Sequence, residues 1–372
     1  MIKNLSKIEV FFQGNKVGTL AMGQGERIYF QYEEKWIEEG FSVSPFSLPL
    51  KNGLFEARND NFSGLFGVFA DSLPDGFGTL IVDRYLAKHG INPAKVSLLT
   101  RLTLLNDTSL GGLEYQPCQS DFSSLEEITD FDRRRKELEE LMENKATSDF
   151  DALYHSSSAA GGSRPKANIL RDNHLWIVKF PAFSDSPQCG KREYDYNRAA
   201  QKCGICVPRF ALLPSKKTAG YFAEERFDRK DGKRVHMISL SGLLEASPDI
   251  PALDYLHLLK VCYRLGDERD VNQAYRLMCF NVFAQNFDDH GKNFSFLYAP
   301  KDRLYHLSPA YDLTTMNYRK PHETTLNGEE NPTLDDILSL NVEDFGLKKE
   351  VCDKTAREIQ GIVEKELKGY LK

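Results

Sequence analysis

The sequence predicts an α+β protein of two lobes, with a mixed α/β amino-terminal part and an all-helical carboxyl-terminal lobe. Two observations carry this prediction. Short runs that alternate apolar and polar residues, as strands do, are concentrated before residue 230. Beyond that point, residues 254–265, 272–285 and 348–371 place apolar side chains at helical spacing.

Composition and charge narrow the class of protein. The chain has 372 residues, and domains of roughly 100–200 residues imply two or three of them. A formal net charge of −6 argues against a general nucleic-acid binder, which carries a basic face. The sequence has no apolar run long enough for a transmembrane helix and no signal-peptide core at its start. We therefore expect a cytoplasmic protein with no membrane contact.

The seven cysteines are dispersed along the chain, which is typical of reduced thiols. Cys203 and Cys206 form a CxxC pair, but no second pair at zinc-site spacing is evident. We interpret the pair as the end of a helix that enters a strand, and keep a redox role as the alternative.

The first predicted domain covers residues 1–118 and holds a small sheet with helices. Two alternating runs, Ile8–Phe12 and Val17–Leu20, flank Gly14-Asn15, which predicts a β-hairpin. Glycines at 64, 67, 76 and 78 match neither the dinucleotide-binding nor the Walker spacing. Tight packing therefore explains those glycines better than phosphate binding does.

The second predicted domain, residues 119–228, contains a loop suited to anions. The small residues Gly161 and Gly162 let backbone amides approach an anion closely. Residues 168–181 then follow as strand, turn and strand, with Lys179 near the end. Protein kinases use such a loop and such a lysine on the phosphates of ATP. A flexible linker is the alternative; Arg164-Pro165-Lys166, which we expect on the loop, is too stiff and basic for one.

The third predicted domain, residues 229–372, contains the segment richest in reactive side chains, residues 286–294. Asp288 and Asn293 are five residues apart, the offset at which the kinase catalytic loop places its base and a magnesium ligand. Asp312 would complete the metal site, because Mg²⁺ prefers carboxylate and amide oxygens. A polar turn is the alternative, since these residue types are common in turns. Apolar runs on both sides favour a site.

Four segments in this order resemble the HipA family of bacterial serine/threonine kinase toxins. They are Gly161–Ala167, Val178–Pro181, Glu225–Asp228 and Asn286–Phe294. Phe66–Asp75 is similar to the family's amino-terminal subdomain, so the resemblance covers most of the chain.

The resemblance implies a two-lobed, protein-kinase-like fold that binds ATP and Mg²⁺. It implies that Asp288 is the catalytic base and that Asn293 and Asp312 bind Mg²⁺. The residues that it implies for ATP binding are Gly161, Gly162, Lys179, Glu225, Arg226, Phe227, His290 and Lys292, with adenine contacted by the backbone around Arg226.

The resemblance also implies partners and a means of control. Members commonly phosphorylate an aminoacyl-tRNA synthetase, glutamate–tRNA ligase being the best known, and so halt translation. A small helix-turn-helix antitoxin binds them, and contact with DNA is only indirect, through that antitoxin. Autophosphorylation of a serine in the phosphate loop expels the loop. Here the serine-rich stretch 156–163 offers Ser158 first and Ser157 second.

Two other functions remain open on the sequence. One is an atypical kinase that acts on a lipid or a small molecule. The other is a pseudokinase that only binds a partner, which the retained Asp288, Asn293, Asp312 and Lys179 disfavour. Measurement of ATP turnover would distinguish an enzyme from a binding protein. The identity of the labelled product would distinguish a protein kinase from a lipid or small-molecule kinase. A neighbouring gene for a small helix-turn-helix protein would favour the toxin.

Overall fold

The computed structural model describes residues 2–57, 61–105, 108–120, 128–143, 145, 150–158, 161–247, 250–315 and 320–371. The chain divides into two compact units. Unit 1 comprises residues 1–190, 212–238 and 242–245, and unit 2 comprises residues 191–211, 239–241 and 246–372. Each unit is described by itself below.

Unit 1 opens with a five-stranded antiparallel sheet in the order β4-β3-β2-β1-β5. Its strands are β1 (Lys7–Phe12), β2 (Asn15–Met22), β3 (Ile28–Tyr32), β4 (Leu54–Glu56) and β5 (Leu113–Gln116). The β1–β2 turn is Gln13-Gly14, both with positive φ, one residue earlier than predicted. Two left-handed residues give a hairpin turn the twist of its strands, and glycine takes that conformation without strain.

Six helices of unit 1 are described before the second sheet, and aromatic side chains of the first two pack on the five-stranded sheet. They are α1 (Glu34–Glu39), α2 (Gly67–Ala70), α3 (Gly76–Lys88), α4 (Leu98–Thr103), α5 (Phe131–Met142) and α6 (Phe150–Ser157). Phe30 of β3 packs on Phe69 of α2 with ring centroids 5.1 Å apart, and Phe12 meets Trp36 of α1 at 6.1 Å. The packed aromatic rings join the helices to one face of the sheet.

A second sheet, of four strands in the order β6-β7-β9-β8, follows in the chain. Its strands are β6 (Lys166–Arg171), β7 (His174–Lys179), β8 (Phe210–Leu213) and β9 (Tyr221–Glu225), with helix α7 (Cys189–Lys202) between β7 and β8. The β6–β7 turn has positive φ at both Asp172 and Asn173, as the predicted strand–turn–strand pattern requires. Three short strands come next: β10 (Arg229–Lys230), β11 (Lys233–Arg234) and β12 (Met237–Ser239).

Unit 2 is mainly helical. After α8 (Leu240–Leu244), where the chain changes unit, it contains α9 (Tyr255–Leu265), α10 (Glu268–Phe283), α11 (Leu334–Ser339) and α12 (Lys349–Glu366). Asp254 and Asp267 begin α9 and α10 with capping boxes, which satisfy the first amides of each helix. A hairpin of β13 (Ser295–Ala299) and β14 (Leu304–Leu307) makes this part of the chain less purely helical than predicted.

The long helix α10 is the core of unit 2, because ten of its residues are buried. The Tyr275 hydroxyl of α10 donates a hydrogen bond to the carbonyl of Cys352 in α12, at 3.2 Å. The helix therefore holds a fixed position, and its carboxyl-terminal end leads directly into residues 286–294. No helix within the described ranges is both long and apolar enough to cross a membrane.

Candidate active site

The predicted chemical residues follow the end of α10, where the chain leaves the helix through a defined turn. Gln285 adopts a left-handed conformation with φ 54°. Asn286 is buried; its backbone amide donates to the carbonyl of Asn281 and its side-chain amide to Asn281 Oδ1, each at 3.0 Å. The loop therefore starts from a point that is fixed to the buried end of the helix.

The buried side chain of Asp289 holds this loop in place. Its side chain is fully buried, and its two oxygens accept four hydrogen bonds. Oδ2 accepts from the Tyr255 hydroxyl at 2.6 Å and from Nδ1 of His322 at 2.7 Å. Oδ1 accepts from the amides of Glu323 and Thr324 at 2.9 and 3.3 Å. A buried carboxylate is stable only when its oxygens are satisfied in this way, and in return it fixes the loop.

Asp288, the predicted base, is accessible to solvent, in contrast to Asp289. Its side chain is 44% exposed, so the carboxylate is accessible. Asn293 Nδ2 donates to the backbone carbonyl of Asp288 at 2.7 Å, which fixes the orientation of this peptide. Lys320 Nζ lies 3.3 Å from Asp288 Oδ1 and 2.7 Å from Glu323. Burial alone would lower the pKa of Lys320, but these two acids raise it, so Lys320 stays a cation beside Asp288.

A tight turn over Gly291–Asn293 connects the two predicted residues. The amide of Asn293 donates to the carbonyl of His290 at 2.8 Å. Only glycine fits at position 291, because a Cβ there would lie 2.2 Å from Leu253 Cδ1 and 2.4 Å from Ser241 Oγ. This close approach brings Asn293 back to the backbone of Asp288.

Asp312 lies on the segment after β14 and is tied to the same loop through its neighbour. The Tyr311 hydroxyl, 2.6 Å from Ser295 Oγ, donates to the backbone carbonyl of Lys292. Asp312 itself has a left-handed backbone, φ 54°, and carboxylate oxygens of Asp312 and Glu193 lie within 4.8 Å of each other. Two carboxylates at this separation suit a divalent cation. Asp312 and Glu193 therefore fit a divalent-cation site chemically, and the magnesium role of Asn293 stays a prediction.

The structure brings His290 and Lys292 into the loop mainly through their backbone carbonyls, which accept from Asn293 and Tyr311. The His290 ring is half-buried, and its Nδ1 atom has no hydrogen-bond partner among the described residues. A buried polar atom without a partner is uncommon, and a bound ligand is one way to satisfy it.

In unit 1, Lys179 occupies the last position of β7 and is 7% exposed. Its Nζ lies 3.3 Å from a carboxylate oxygen of Glu224 on β9 and 5.4 Å from the centre of the Phe222 ring. The ion pair and the ring hold the ammonium at a fixed place. A strand-end lysine of this kind is what the sequence predicted.

Lys166 differs from its prediction. We expected it on the loop, but it is the first residue of β6, pairs across the strands with Lys179 and is only 8% exposed. Its Nζ donates to the carbonyl of Gly161 at 2.5 Å. Strand β6 therefore begins at Lys166, closer to Gly161-Gly162 than we expected. The lysine ammonium binds a carbonyl of the loop while its backbone belongs to the strand.

Gly161 and Gly162 form the described end of the predicted phosphate loop; Ala159 and Ala160 lie outside the described residues. Gly162 has φ +80°, and a Cβ there would lie 2.6 Å from Lys166 Nζ. The positive φ favours glycine at this position. The backbone of the loop and the Lys166 ammonium are thus in close contact.

Arg226, predicted to lie against adenine, is part of the framework of unit 1. Its guanidinium is buried, binds Asp228 through Nε at 2.8 Å and reaches the carbonyls of Thr108 and Ser109. Its amide donates to the carbonyl of Leu175 at 2.8 Å. The side chain and the amide nitrogen of Arg226 are therefore already bonded within unit 1, and the predicted backbone contact of residues 225–227 with adenine stays a prediction.

The predicted phosphorylation sites lie at the end of a helix, where we had predicted a loop. Ser157 is the last residue of α6 and Ser158 follows it, with its amide bonded to the carbonyl of Tyr154 at 2.9 Å. The two side chains are 0% and 2% exposed. Asn168 of β6 donates to the carbonyl of Ser156 at 3.0 Å and so closes the helix. Ser163, in contrast, is exposed.

Comparison with solved structures identifies the class of fold. The chain is similar to HipA in the complex of HipA, HipB and operator DNA from Shewanella oneidensis MR-1, with a TM-score of 0.71 and 17% identity, over 98% of this chain and 92% of that one. The predicted α+β, HipA-like fold is thereby confirmed. The Helicobacter pylori proinflammatory kinase CtkA aligns with 57% of this chain and 94% of its own at 15% identity, and its TM-score of 0.40 is too low to support an argument.

Family models identify the family to which this chain belongs. The HipA-like C-terminal domain matches residues 158–367, and the HipA N-terminal domain matches residues 8–116. The first match alone covers more than half of the chain, so this chain belongs to the HipA family. No curated protein matches the sequence. The three-domain division predicted from the sequence remains a prediction.

Proposed function

We propose that this chain is an ATP-dependent serine/threonine protein kinase of a toxin–antitoxin system. The observation that carries the proposal is the contrast between the two adjacent carboxylates. Asp289 is buried under four hydrogen bonds, while Asp288 is 44% exposed on the loop that Asp289 fixes. A rigid support under one accessible base is what phosphoryl transfer needs, because its catalysis is mainly positioning and electrostatics.

In this proposal Asp288 accepts the proton of the substrate hydroxyl as the oxygen attacks the γ-phosphate of ATP. Asn293 keeps the Asp288 peptide in place through its 2.7 Å hydrogen bond. Lys320, 3.3 Å from the carboxylate, supplies a positive charge close to the transferred group. The chain thus contributes a base, its orientation and a nearby cation.

Asn293 and Asp312 are the proposed magnesium ligands, and Glu193 fits as a third donor. Bound Mg²⁺ would neutralise charge on the phosphates of ATP. The Tyr311–Lys292 hydrogen bond links the two ligand-bearing segments within unit 2 and so limits how far they can separate.

Unit 1 provides the proposed nucleotide contacts. Lys179 is the lysine for the phosphates, and the amides around Gly161 and Gly162 form the anion loop. Glu225 and Phe227 would contact adenine through their backbone. The ion pair with Glu224 keeps the Lys179 ammonium in place before ATP arrives, which reduces the entropy lost on binding.

The proposed substrate is a protein hydroxyl, with an aminoacyl-tRNA synthetase as the first target to test. The similar Shewanella protein was solved with HipB and operator DNA. We therefore propose a small antitoxin as the partner of this chain, with DNA contacted through it. Autophosphorylation in residues 156–163 is proposed as a second control.

The decisive experiment compares phosphate transfer from labelled ATP by the wild-type chain, Asp288→Asn and Asp302→Asn. Asp302 is a matched control, since its side chain is 41% exposed and lies in unit 2, on the β13–β14 turn. We expect Asp288→Asn to lose roughly 10²–10⁴-fold in rate with ATP affinity nearly unchanged, and Asp302→Asn to behave as wild type. Wild-type turnover by Asp288→Asn would overturn the assignment. Label on a lipid or metabolite, and none on protein, would overturn the substrate class.

A further inference from the structure

The side chain of Asp75 connects the amino-terminal domain to the proposed phosphate loop. Asp75 precedes α3, inside the region matched by the HipA N-terminal domain. Its Oδ2 accepts a hydrogen bond from the backbone amide of Gly162 at 3.3 Å. The two residues are 87 apart in sequence and both belong to unit 1.

A second hydrogen bond runs in the opposite direction. The amide of Phe77, in the first turn of α3, donates to the carbonyl of Gly162 at 3.3 Å. Gly162 is therefore held at both its amide and its carbonyl by residues 75 and 77. Gly76 favours this approach, because a Cβ at that position would lie 3.3 Å from Ser163 Cα, which is tighter than most such contacts. This gives a physical reason for a glycine whose spacing fits no phosphate-binding motif.

Capping of α3 does not explain the Asp75 carboxylate. Asp75 stands at the N-cap position, where an aspartate usually accepts a hydrogen bond from its own helix. Here the side chain makes no such bond, and its oxygen is directed at Gly162. The carboxylate of Asp75 therefore stabilises the loop rather than the first turn of α3.

The other side of the loop is held by Lys166, whose Nζ donates to the carbonyl of Gly161. Gly161 and Gly162 thus lie between a lysine of β6 and two residues at the start of α3. A loop fixed on both sides keeps its remaining amides in place before a nucleotide binds, and preorganisation of this kind lowers the cost of binding.

We infer that Asp75 is a positioning residue for the nucleotide loop, so that the amino-terminal domain takes part in ATP binding. The inference rests on the proposed function for its consequence, a lower KM for ATP. The contact itself does not depend on that function. Asp75 touches no substrate atom in this account and acts only through Gly162.

The test uses the full chain and three variants: Asp75→Ala, Asp75→Asn and Asp83→Ala. Asn keeps an oxygen that accepts from Gly162, whereas Ala does not. Asp83 lies on the same helix and pairs with Arg101, so its loss reports any general disturbance of α3. Amide hydrogen exchange of a peptide containing Gly162, without nucleotide, measures the contact directly. Steady-state kinetics with ATP measure its consequence.

We expect Asp75→Ala to speed exchange at Gly162 about tenfold, because a hydrogen bond to a charged acceptor contributes on that order. KM for ATP should rise several-fold with kcat within about twofold, as for lost ground-state binding. Asp75→Asn, which keeps the acceptor oxygen but loses the charge, should fall between wild type and Asp75→Ala, and Asp83→Ala should remain close to wild type in both measurements.

Unchanged exchange in Asp75→Ala, or equal effects of Ala and Asn, would overturn the inference. A fall in KM would also overturn it, since the carboxylate would then be competing with the phosphates of ATP. A wild-type chain without ATP turnover would refute the proposed function alone, because the exchange measurement still decides whether Asp75 holds the loop.

Discussion

His322 Nδ1 donates a 2.7 Å hydrogen bond to Asp289 Oδ2, and both side chains are almost completely buried in unit 2. The bond joins positions 33 residues apart and fixes the segment that starts at Lys320 against the loop of residues 286–294. Lys320 is close enough to Asp288 for an ion pair because the next residues along the chain are fixed on Asp289.

Asp289→Asn should therefore destabilise unit 2 by several kcal/mol, because an amide presents a donor where four donors already converge. We expect a lower melting temperature by calorimetry, together with lower activity. Asp288→Asn, whose side chain is exposed, should melt at the wild-type temperature. Equal melting temperatures for the two variants would show that Asp289 is not the anchor of the loop.

Lys179→Ala should raise KM for ATP and lower kcat/KM by on the order of 10²-fold, because it removes a fixed charge directed at the phosphates. Lys166→Ala should raise KM less, through the loss of its bond to the Gly161 carbonyl. The buried position of Lys166 makes a fall in stability an added expectation for that variant.

The exposed Lys230 of β10 gives a matched control for both lysines, and Lys230→Ala should leave the kinetics unchanged. Kinetic constants measured side by side decide the ranking. If Lys166→Ala proved as damaging to kcat as Lys179→Ala, the two would share the phosphate role.

Asp312→Ala should weaken ATP binding only when Mg²⁺ is present, since the carboxylate is proposed to contact the metal. Titration calorimetry with and without Mg²⁺ measures the difference. Asp312→Asn tolerates the observed φ of 54° better than Ala does, and so separates lost charge from backbone strain. An equal loss of affinity in the absence of metal would assign Asp312 to the nucleotide or to the fold.

Autophosphorylation at Ser158 or Ser157 should be slow, because both hydroxyls are buried and the last turn of α6 must open first. Ser163 is exposed and needs no such opening. Mass spectrometry during incubation with Mg-ATP gives the order of modification, and the Asp288→Asn protein should acquire no phosphate. An unmodified 156–163 segment in a sample that phosphorylates its substrate would refute this form of control.

Acid should destabilise unit 1 through His236. Burial lowers the pKa of His236 from its ordinary value of 6.5 to about 4, and the ring packs 5.2 Å from Phe41 while bonding the Val43 carbonyl. As the pH falls from 6.5 to 4 the unfolded chain binds a proton that the folded chain does not, so stability decreases in that window. A shift of this size corresponds to about 3 kcal/mol.

The measurement is denaturant unfolding between pH 7 and pH 4, followed by tryptophan fluorescence. The two tryptophans of the chain, Trp36 and Trp176, both lie in unit 1, so the signal reports on that unit. His236→Gln keeps a donor for Val43 but cannot titrate, and its unfolding free energy should fall less steeply. The same slope in both proteins would assign the acid sensitivity to other groups.

Local patterns in the sequence predicted the features that depend on near neighbours. The alternation around Asp172-Asn173 predicted the β6–β7 hairpin, and the position of Lys179 at the strand end followed from it. The Asp288–Asn293 spacing predicted a shared loop, in which the Asn293 side chain does contact the Asp288 peptide.

Features that depend on distant partners were not predictable. Two adjacent aspartates look alike in sequence, and only contacts with Tyr255 and His322 show that Asp289 is the buried one. The run of small residues from Ser156 reads as a loop, but Asn168 closes it as a helix end. In the sequence Arg226 resembles a surface arginine. In the structure Asp228 and the carbonyl of Thr108 surround its guanidinium.

The facing lysines at the ends of β6 and β7 have a consequence for the resting protein. Lys166 and Lys179 stand opposite each other, both nearly buried, and like charges so placed repel. The Glu224 carboxylate and the carbonyl of Gly161 accept from these ammonium groups and offset that repulsion. A polyanion bound beside the two lysines would offset it further. Inorganic triphosphate alone should raise the melting temperature of unit 1, by an amount that grows with the logarithm of one plus its free concentration divided by its dissociation constant.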